Sequence, residues 1–208
     1  MKVLHVIATP NGERSTSMSV SNEFLGSLQG KHADLTIETI NLFETQLPPA
    51  GGALMAAKWA PITGQEVTDE QKAEFKPIVD IVNQFLAADL VVITSPMWNF
   101  GVPYVLKHYI DTIVQPGHTF KYTESGPVGI VPEGKKAVII ASRGGDYSAG
   151  GPYEQADFQA PYLRAILGFL GVTDVNFVIA QPLDMGPEPR EAALAKAKEE
   201  VNSLADSI

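Results

Sequence analysis

The chain has 208 residues, of which 45% are hydrophobic and 19% charged, a composition typical of one globular domain large enough to bury a core. Its formal net charge of −9 disfavours non-specific binding to nucleic acid and anionic lipid, so we expect neither a nucleic-acid nor a membrane partner. Cysteine is absent, which excludes disulfides, thiolate metal sites and cysteine nucleophiles. The apolar run near the N-terminus is too short for a signal-peptide core or a membrane span, so we expect a cytoplasmic location.

Short apolar, β-branched runs alternate along the chain with helical patterns. A nearly continuous apolar character, typical of strands buried on both faces, occurs at 3–8, 90–94, 137–141 and 175–179. The run at 34–42 alternates polar and apolar residues and predicts an edge strand. Helices are predicted at 17–28, 68–88, 102–114, 153–170 and 188–204. Pro77 is expected to kink or split the second of these helices.

The alternation of strands and helices predicts an α/β fold, a five-stranded parallel sheet with helices on both faces. Right-handed crossovers between five such strands suit the flavodoxin-like order 2-1-3-4-5. Two segments interrupt the alternation: a Pro-, Gly- and Ala-rich connection at 43–67, and residues 119–131, which we expect to form a small hairpin insertion. No linker or repeat divides the chain, so we expect a single domain over 1–208.

A ligand of such a sheet should lie beyond the carboxyl ends of the strands, where the strand order reverses. The loop after the first predicted strand, TPNGERSTS at 9–17, ends in Ser15, Thr16 and Ser17 at the start of a helix. Hydroxyls and free amides at a helix N-terminus can bind a phosphate. The same residues also suit a simple helix cap. The loop lacks both GxxxxGK[ST] and GxGxxG, which weakens nucleoside-triphosphate and dinucleotide interpretations.

The loops after the third and fourth predicted strands have equally unusual chemistry. TSPMWNFGVP at 94–103 places Trp98 and Phe100 among turn formers, where they could flank a flat ligand or form an apolar plug over the sheet end. SRGGDYSAGGPY at 142–153 is rich in glycine, which permits either close approach of a ligand or simple loop mobility. A flat heterocycle with a phosphate tail, such as FMN, fits all three loops together.

At these residues the chain resembles the FMN-dependent NADH:azoreductase family, flavodoxin-like relatives of the quinone reductases. The resemblance runs nearly end to end and is carried by the SxS-type loop at 15–17, PMWNFGVP at 96–103, LKHYIDTI at 106–113, PGHTFKYT at 116–123, GPVG at 126–129 and SRGG at 142–145. The resemblance implies a homodimer with FMN at the subunit interface. It also implies that NADH or NADPH reduces the flavin, which then reduces quinones or azo compounds in a ping-pong cycle.

The family pattern carries over to particular positions of this chain. It assigns the phosphate and ribityl end of a non-covalently bound FMN to Ser15, Thr16 and Ser17, with Thr9 where relatives often have serine. It assigns the isoalloxazine ring to Pro96, Met97, Trp98, Asn99 and Phe100, and the pyrimidine side of the ring to Ser142, Arg143, Gly144 and Gly145. The segment at 44–59 departs from the family, whose members commonly have an acidic residue in their Leu-Pro stretch.

The family chemistry belongs to the cofactor, so no side chain is assigned as a covalent catalyst. Amides of Gly144 and Gly145, with Arg143, could stabilise negative charge on the reduced ring, although Arg143 equally suits a surface ion pair. His5, within the first strand, is interpreted as a hydrogen-bonded core residue, and no histidine pair has metal-ligand spacing. Two other functions fit an FMN-binding domain: a flavodoxin-like electron carrier and a redox-silent flavin-binding regulator.

Overall fold

The computed structural model describes residues 1–49, 51, 58–60, 63–64 and 66–208, so much of the 43–67 connection lies outside the described residues. The strands are β1 (Lys2–Ile7), β2 (Thr36–Asn41), β3 (Leu90–Pro96), β4 (Phe120–Thr123), β5 (Gly126–Gly129), β6 (Lys136–Ser142) and β7 (Asp174–Ala180). The helices are α1 (Thr16–Lys31), α2 (Asp69–Ala87), α3 (Tyr104–Ile113), α4 (Ala160–Leu170) and α5 (Pro187–Ser207). None of the helices in this described part combines the length and apolar character needed to cross a bilayer.

The main sheet has five parallel strands in the order β2-β1-β3-β6-β7. Because β4 and β5 form a separate antiparallel hairpin, this is the order 2-1-3-4-5 when only the sheet strands are counted. The predicted fold is therefore confirmed, as are the hairpin and the edge position of β2. The hairpin lies so close to the end of α4 that a Cβ added to Gly129 would lie 2.2 Å from the backbone carbon of Leu170.

Helices cover both faces of the sheet, and alternate residues of each strand enter opposite cores. On one face, Leu4, Val91 and Ile139 pack with residues of α2, α3 and α4. On the other face, Val92 and Val138 pack with residues of α1 and α5. The central strands are apolar at nearly every position because both of their faces are covered, which explains the continuous apolar runs in the sequence.

Two of the predicted helices differ from those observed. The helix expected at 153–170 begins only at Ala160, after a short 3₁₀ turn at Glu154–Ala156. The carboxylate of Asp157 accepts hydrogen bonds from the backbone amides of Gln159 and Ala160 at 3.0 Å each, and this sets the start of α4. Pro77 does not split α2, which runs through it from Asp69 to Ala87 behind the capping box formed by Thr68 and Gln71.

His5 is a buried residue of β1, as predicted from its apolar neighbours. Its Nε2 lies 2.8 Å from the hydroxyl of Thr94 on β3, and that hydroxyl also contacts the Ser21 hydroxyl of α1. Burial lowers the pKa of His5 from 6.5 to about 4, so the imidazole is neutral in the folded protein at pH 7.

The depressed pKa of His5 makes folding stability depend on pH. His5 of the unfolded chain binds a proton below about pH 6.5, whereas His5 of the folded chain stays neutral until about pH 4. The folded state is therefore fully favoured above pH 6.5 and loses free energy of unfolding as the pH falls towards 4. Between pH 7 and pH 4.5, the unfolding free energy of the unmodified protein should fall by about 2–3 kcal/mol more than that of His5→Gln. Urea unfolding of both proteins at the two pH values measures it, and parallel pH profiles would contradict the prediction.

Candidate functional site

A cavity of about 290 Å³ lies at the carboxyl edge of the sheet, where the order of the strands reverses. It is open to solvent and is bounded by the loops after β1, β3, β6 and β7. Nine of the residues predicted for the cofactor line it, namely Thr9, Ser15, Thr16, Pro96, Met97, Trp98, Ser142, Arg143 and Gly144. The structure thus brings all three predicted loops to one site. The other four predicted residues, Ser17, Asn99, Phe100 and Gly145, do not line it but lie within two positions of residues that do.

A buried cluster of hydroxyls forms one end of the cavity. The hydroxyl of Thr9 donates to the hydroxyl of Ser15 at 3.1 Å, and the Ser15 and Ser17 hydroxyls are 3.0 Å apart. Ser15 is also the N-cap of α1, because its hydroxyl accepts a hydrogen bond from the amide of Met18 at 3.4 Å. Ser17 is fully buried, so its hydroxyl contacts that of Ser15 from the protein interior. The helix cap predicted for this loop is therefore present, and it places a hydroxyl beside the positive end of α1.

The aromatic loop after β3 is a strained two-residue turn. Trp98 and Gly101 exchange two backbone hydrogen bonds of 3.0 and 2.9 Å, with φ of +48° at Asn99 and +70° at Phe100. Asparagine tolerates such angles, whereas for phenylalanine they cost about 1–3 kcal/mol. The turn leaves the Phe100 side chain 48% exposed. Strain combined with an exposed aromatic ring is characteristic of ligand sites.

Trp98 is only partly covered by protein atoms. Its side chain is 36% exposed, and its ring meets that of Phe43 edge-on at a centroid distance of 5.9 Å. Tyr104, at the start of α3, completes this aromatic group with its ring 6.5 Å from Trp98. Phe43 opens the connection at 43–67, so that connection begins beside the cavity wall.

The glycine-rich loop after β6 is anchored by a buried ion pair. Arg143 is 2% exposed and its guanidinium binds both carboxylate oxygens of Asp157, at 2.9 and 3.2 Å. Its Nε donates to the buried amide oxygen of Gln159 at 3.1 Å, and Gln159 in turn donates to the carbonyl of Pro96 at 2.9 Å. The interpretation of Arg143 as a surface ion pair is therefore wrong. Its guanidinium instead ties the glycine loop to the aromatic loop.

The two glycines of this loop permit close packing by protein side chains. A Cβ on Gly144 would lie 2.4 Å from a carboxylate oxygen of Asp184, and one on Gly145 would lie 2.9 Å from the ring of Tyr153. Within the described residues, the backbone N–H groups of Gly144 and Gly145 donate to no protein acceptor. Gly144 lines the cavity, and Gly145 follows it directly.

Sequence reasoning missed part of the cavity wall. Asn11 and Arg14 extend the first loop, and Leu183, Asp184 and Arg190 come from the segment after β7. Ligands of such sheets bind beyond the carboxyl ends of the strands, and the carboxyl end of β7 lies at the same edge as the other three. The segment QPLDMGPEPR at 181–190 follows that strand directly and could have been included on this ground.

The sheet order and the cavity at its reversal point define a protein of the flavodoxin-like class. The profile of the family described as flavodoxin-like fold matches residues 1–205. An FMN-dependent NADH:quinone oxidoreductase 2 of Trichormus variabilis is 41% identical over 199 residues, covering 96% of this chain and 95% of the relative.

Solved structures agree with the sequence relatives. An azoreductase from Bacillus anthracis str. Sterne superposes with a TM-score of 0.90 at 32% identity, covering 100% of both chains. An FMN-dependent NADH-azoreductase from Bacillus anthracis str. Ames Ancestor, solved in complex with FMN, gives a TM-score of 0.89 at 32% identity, covering 99% of this chain and 98% of that one. The chain therefore belongs to the FMN-dependent NADH:azoreductase family of flavodoxin-like quinone reductases.

Proposed function

We propose that this protein is an FMN-dependent NAD(P)H oxidoreductase that reduces quinones and azo compounds by two-electron hydride transfer. The observation that carries the proposal is that one cavity is lined by the hydroxyls of Thr9 and Ser15, by Trp98 of the aromatic loop and by Gly144 of the glycine loop. The names of the similar proteins support it, since they are NADH-dependent quinone oxidoreductases and azoreductases.

The donor set of the cavity fits FMN. The hydroxyls of Ser15 and Thr9 and the first amides of α1 suit a phosphate. The exposed rings of Trp98 and Phe100 suit a flat heterocycle. The N–H groups of Gly144 and Gly145 suit the carbonyl oxygens of that heterocycle. Neither histidine nor cysteine is needed for a covalent link. When bound, FMN supplies the redox chemistry, which is hydride transfer from a nicotinamide nucleotide to an acceptor.

The chain itself binds, orients and stabilises charge. The glycine amides can stabilise negative charge at the pyrimidine side of the ring, and their positions are held by the buried Arg143–Asp157 pair. Because one exposed aromatic surface is available beside the cavity, we propose that the nicotinamide nucleotide and the acceptor use it in turn, in a ping-pong cycle. A cytoplasmic location stays a prediction from the sequence.

We also propose that the protein is a homodimer with the cofactor site at the interface. Large aromatic side chains near the open cavity are exposed, including Phe100 at 48%, Tyr104 at 69% and Phe158 at 63%. Exposed apolar surface of this kind is typical of an interaction site. Sedimentation velocity over a range of concentrations tests the proposal, and a monomer at all concentrations would contradict it.

Denaturing the purified protein and identifying any released flavin tests the cofactor. Steady-state oxidation of NADH and NADPH with a quinone, and no added protein, tests the activity. An electron carrier or a redox-silent regulator would bind FMN without such turnover. Absence of bound flavin, together with no uptake of added FMN, would rule out all three interpretations.

If Trp98 borders the bound ring, its removal should change which acceptors react. We expect Trp98→Ala to shift the ratio of kcat/KM between a bulky and a small quinone, while unfolding free energy changes by less than the roughly 3–5 kcal/mol of a core tryptophan truncation. Trp98→Phe keeps an aromatic ring and should lie between. An unchanged acceptor ratio with a large loss of stability would mean that the residue serves packing alone.

A further inference from the structure

Two arginines border the hydroxyl end of the cavity, although the chain as a whole is acidic. Arg14 lies within the loop after β1, and Arg190 lies in the first turn of α5. The chain has 15 basic against 24 acidic residues, yet three arginines line this small cavity, and of these the charge of Arg143 is already paired with Asp157. The carboxylate that also borders the cavity, Asp184, lies against Gly144 of the glycine loop.

The guanidinium of Arg190 is held beside the start of α1. Its Nη1 donates to the carbonyl of Leu183 at 3.2 Å, and its Nη2 donates to the hydroxyl of Thr16 at 3.1 Å. Thr16 is the first residue of α1 and directly follows the Ser15 cap. An arginine has five N–H donors, so these two bonds orient the group without using all of them.

We propose that Arg190, with Arg14, binds the phosphate of the flavin and makes the site selective for FMN over riboflavin. The inference rests on the proposed function. FMN and riboflavin differ only in a phosphate that carries a charge of about −1.5 to −2 at neutral pH. The hydroxyl cluster can hydrogen-bond the phosphate but does not neutralise its charge, whereas a positioned guanidinium adds a positive charge that interacts strongly with the phosphate and has no such partner in riboflavin. The segment after β7 thereby becomes a fourth cofactor loop.

The test is fluorescence titration of apoprotein with FMN and with riboflavin in parallel. We expect Arg190→Gln to weaken FMN binding roughly tenfold to a hundredfold, as for loss of a hydrogen bond to a charged group, and to change riboflavin binding by less than about twofold. Arg14→Gln should act in the same direction. Arg190→Lys keeps the charge and should retain part of the selectivity. Lys196→Gln is the matched control, because it removes one positive charge from an exposed position on the same helix, outside this cavity.

The outcomes separate this inference from the proposed function. If the unmodified apoprotein binds FMN but Arg190→Gln leaves the ratio of FMN to riboflavin affinity unchanged, only the role of Arg190 is overturned. Equal weakening of both flavins would assign Arg190 to holding the loop rather than to the phosphate, and would overturn it as well. If the unmodified apoprotein binds neither flavin, the proposed function falls together with this inference.

Discussion

Asp157→Ala should lower the free energy of unfolding by about 3–5 kcal/mol, the cost of leaving a buried charge without its partner. The guanidinium of Arg143 is 1% exposed and would lose both of its carboxylate contacts. The substitution also removes the acceptor for the amides of Gln159 and Ala160 at the start of α4, a capping loss of about 1 kcal/mol.

Urea unfolding of the apoprotein measures the effect of this substitution. Asp157→Asn keeps an acceptor oxygen for the two amides but not the charge, so it separates the cap from the ion pair. The control is Asp111→Ala, which breaks a pair with Lys107 in which both side chains are about half exposed, and should cost less than about 1 kcal/mol. Similar losses for Asp157→Ala and Asp111→Ala would show that the burial of Arg143 contributes little.

The double variant Ser15→Ala, Ser17→Ala should bind FMN much more weakly. Each lost hydrogen bond to a charged phosphate costs roughly 1.5–3 kcal/mol of binding free energy. Ser15 borders the cavity directly, whereas Ser17 is buried 3.0 Å behind it, so the larger share should come from Ser15. Titration of the apoproteins with FMN, for the two single variants and the double variant, gives these shares.

Ser15 is also a helix cap, so the unfolding free energy of each variant must be measured alongside its affinity for FMN. Loss of the cap alone should cost about 1 kcal/mol of unfolding free energy and leave FMN binding intact. Ser19→Ala, at an exposed position on the same helix, controls for the removal of a hydroxyl. FMN affinity that stays unchanged in the double variant would assign the serines to the cap and not to the cofactor.

Much of the fold could be predicted from the sequence because its signals are local. Continuous apolar runs such as the one at 90–94 indicate strands buried on both faces, and the alternation at 34–42 indicates an edge. Parallel strands joined by helices then allow few topologies, and their carboxyl ends meet at one edge. Three of the loops that form the cavity, and the burial of His5, follow from this reasoning.

What the sequence alone determined was therefore the order of the strands and the edge of the sheet at which the cavity lies. The tertiary structure decided which side chains meet there. Arg143 contacts Asp157 and Gln159 only when the sheet and the start of α4 are assembled. Arg190 contacts Thr16, which lies 174 positions earlier in the chain. Periodicity and propensity describe neighbours along the chain, whereas the ion pair of Arg143 joins distant segments, and the turn at Phe100 accepts a hydrogen bond from the distant backbone amide of Phe158 at 3.0 Å. Charge pairing and backbone strain at the site thus depend on contacts that no local pattern encodes.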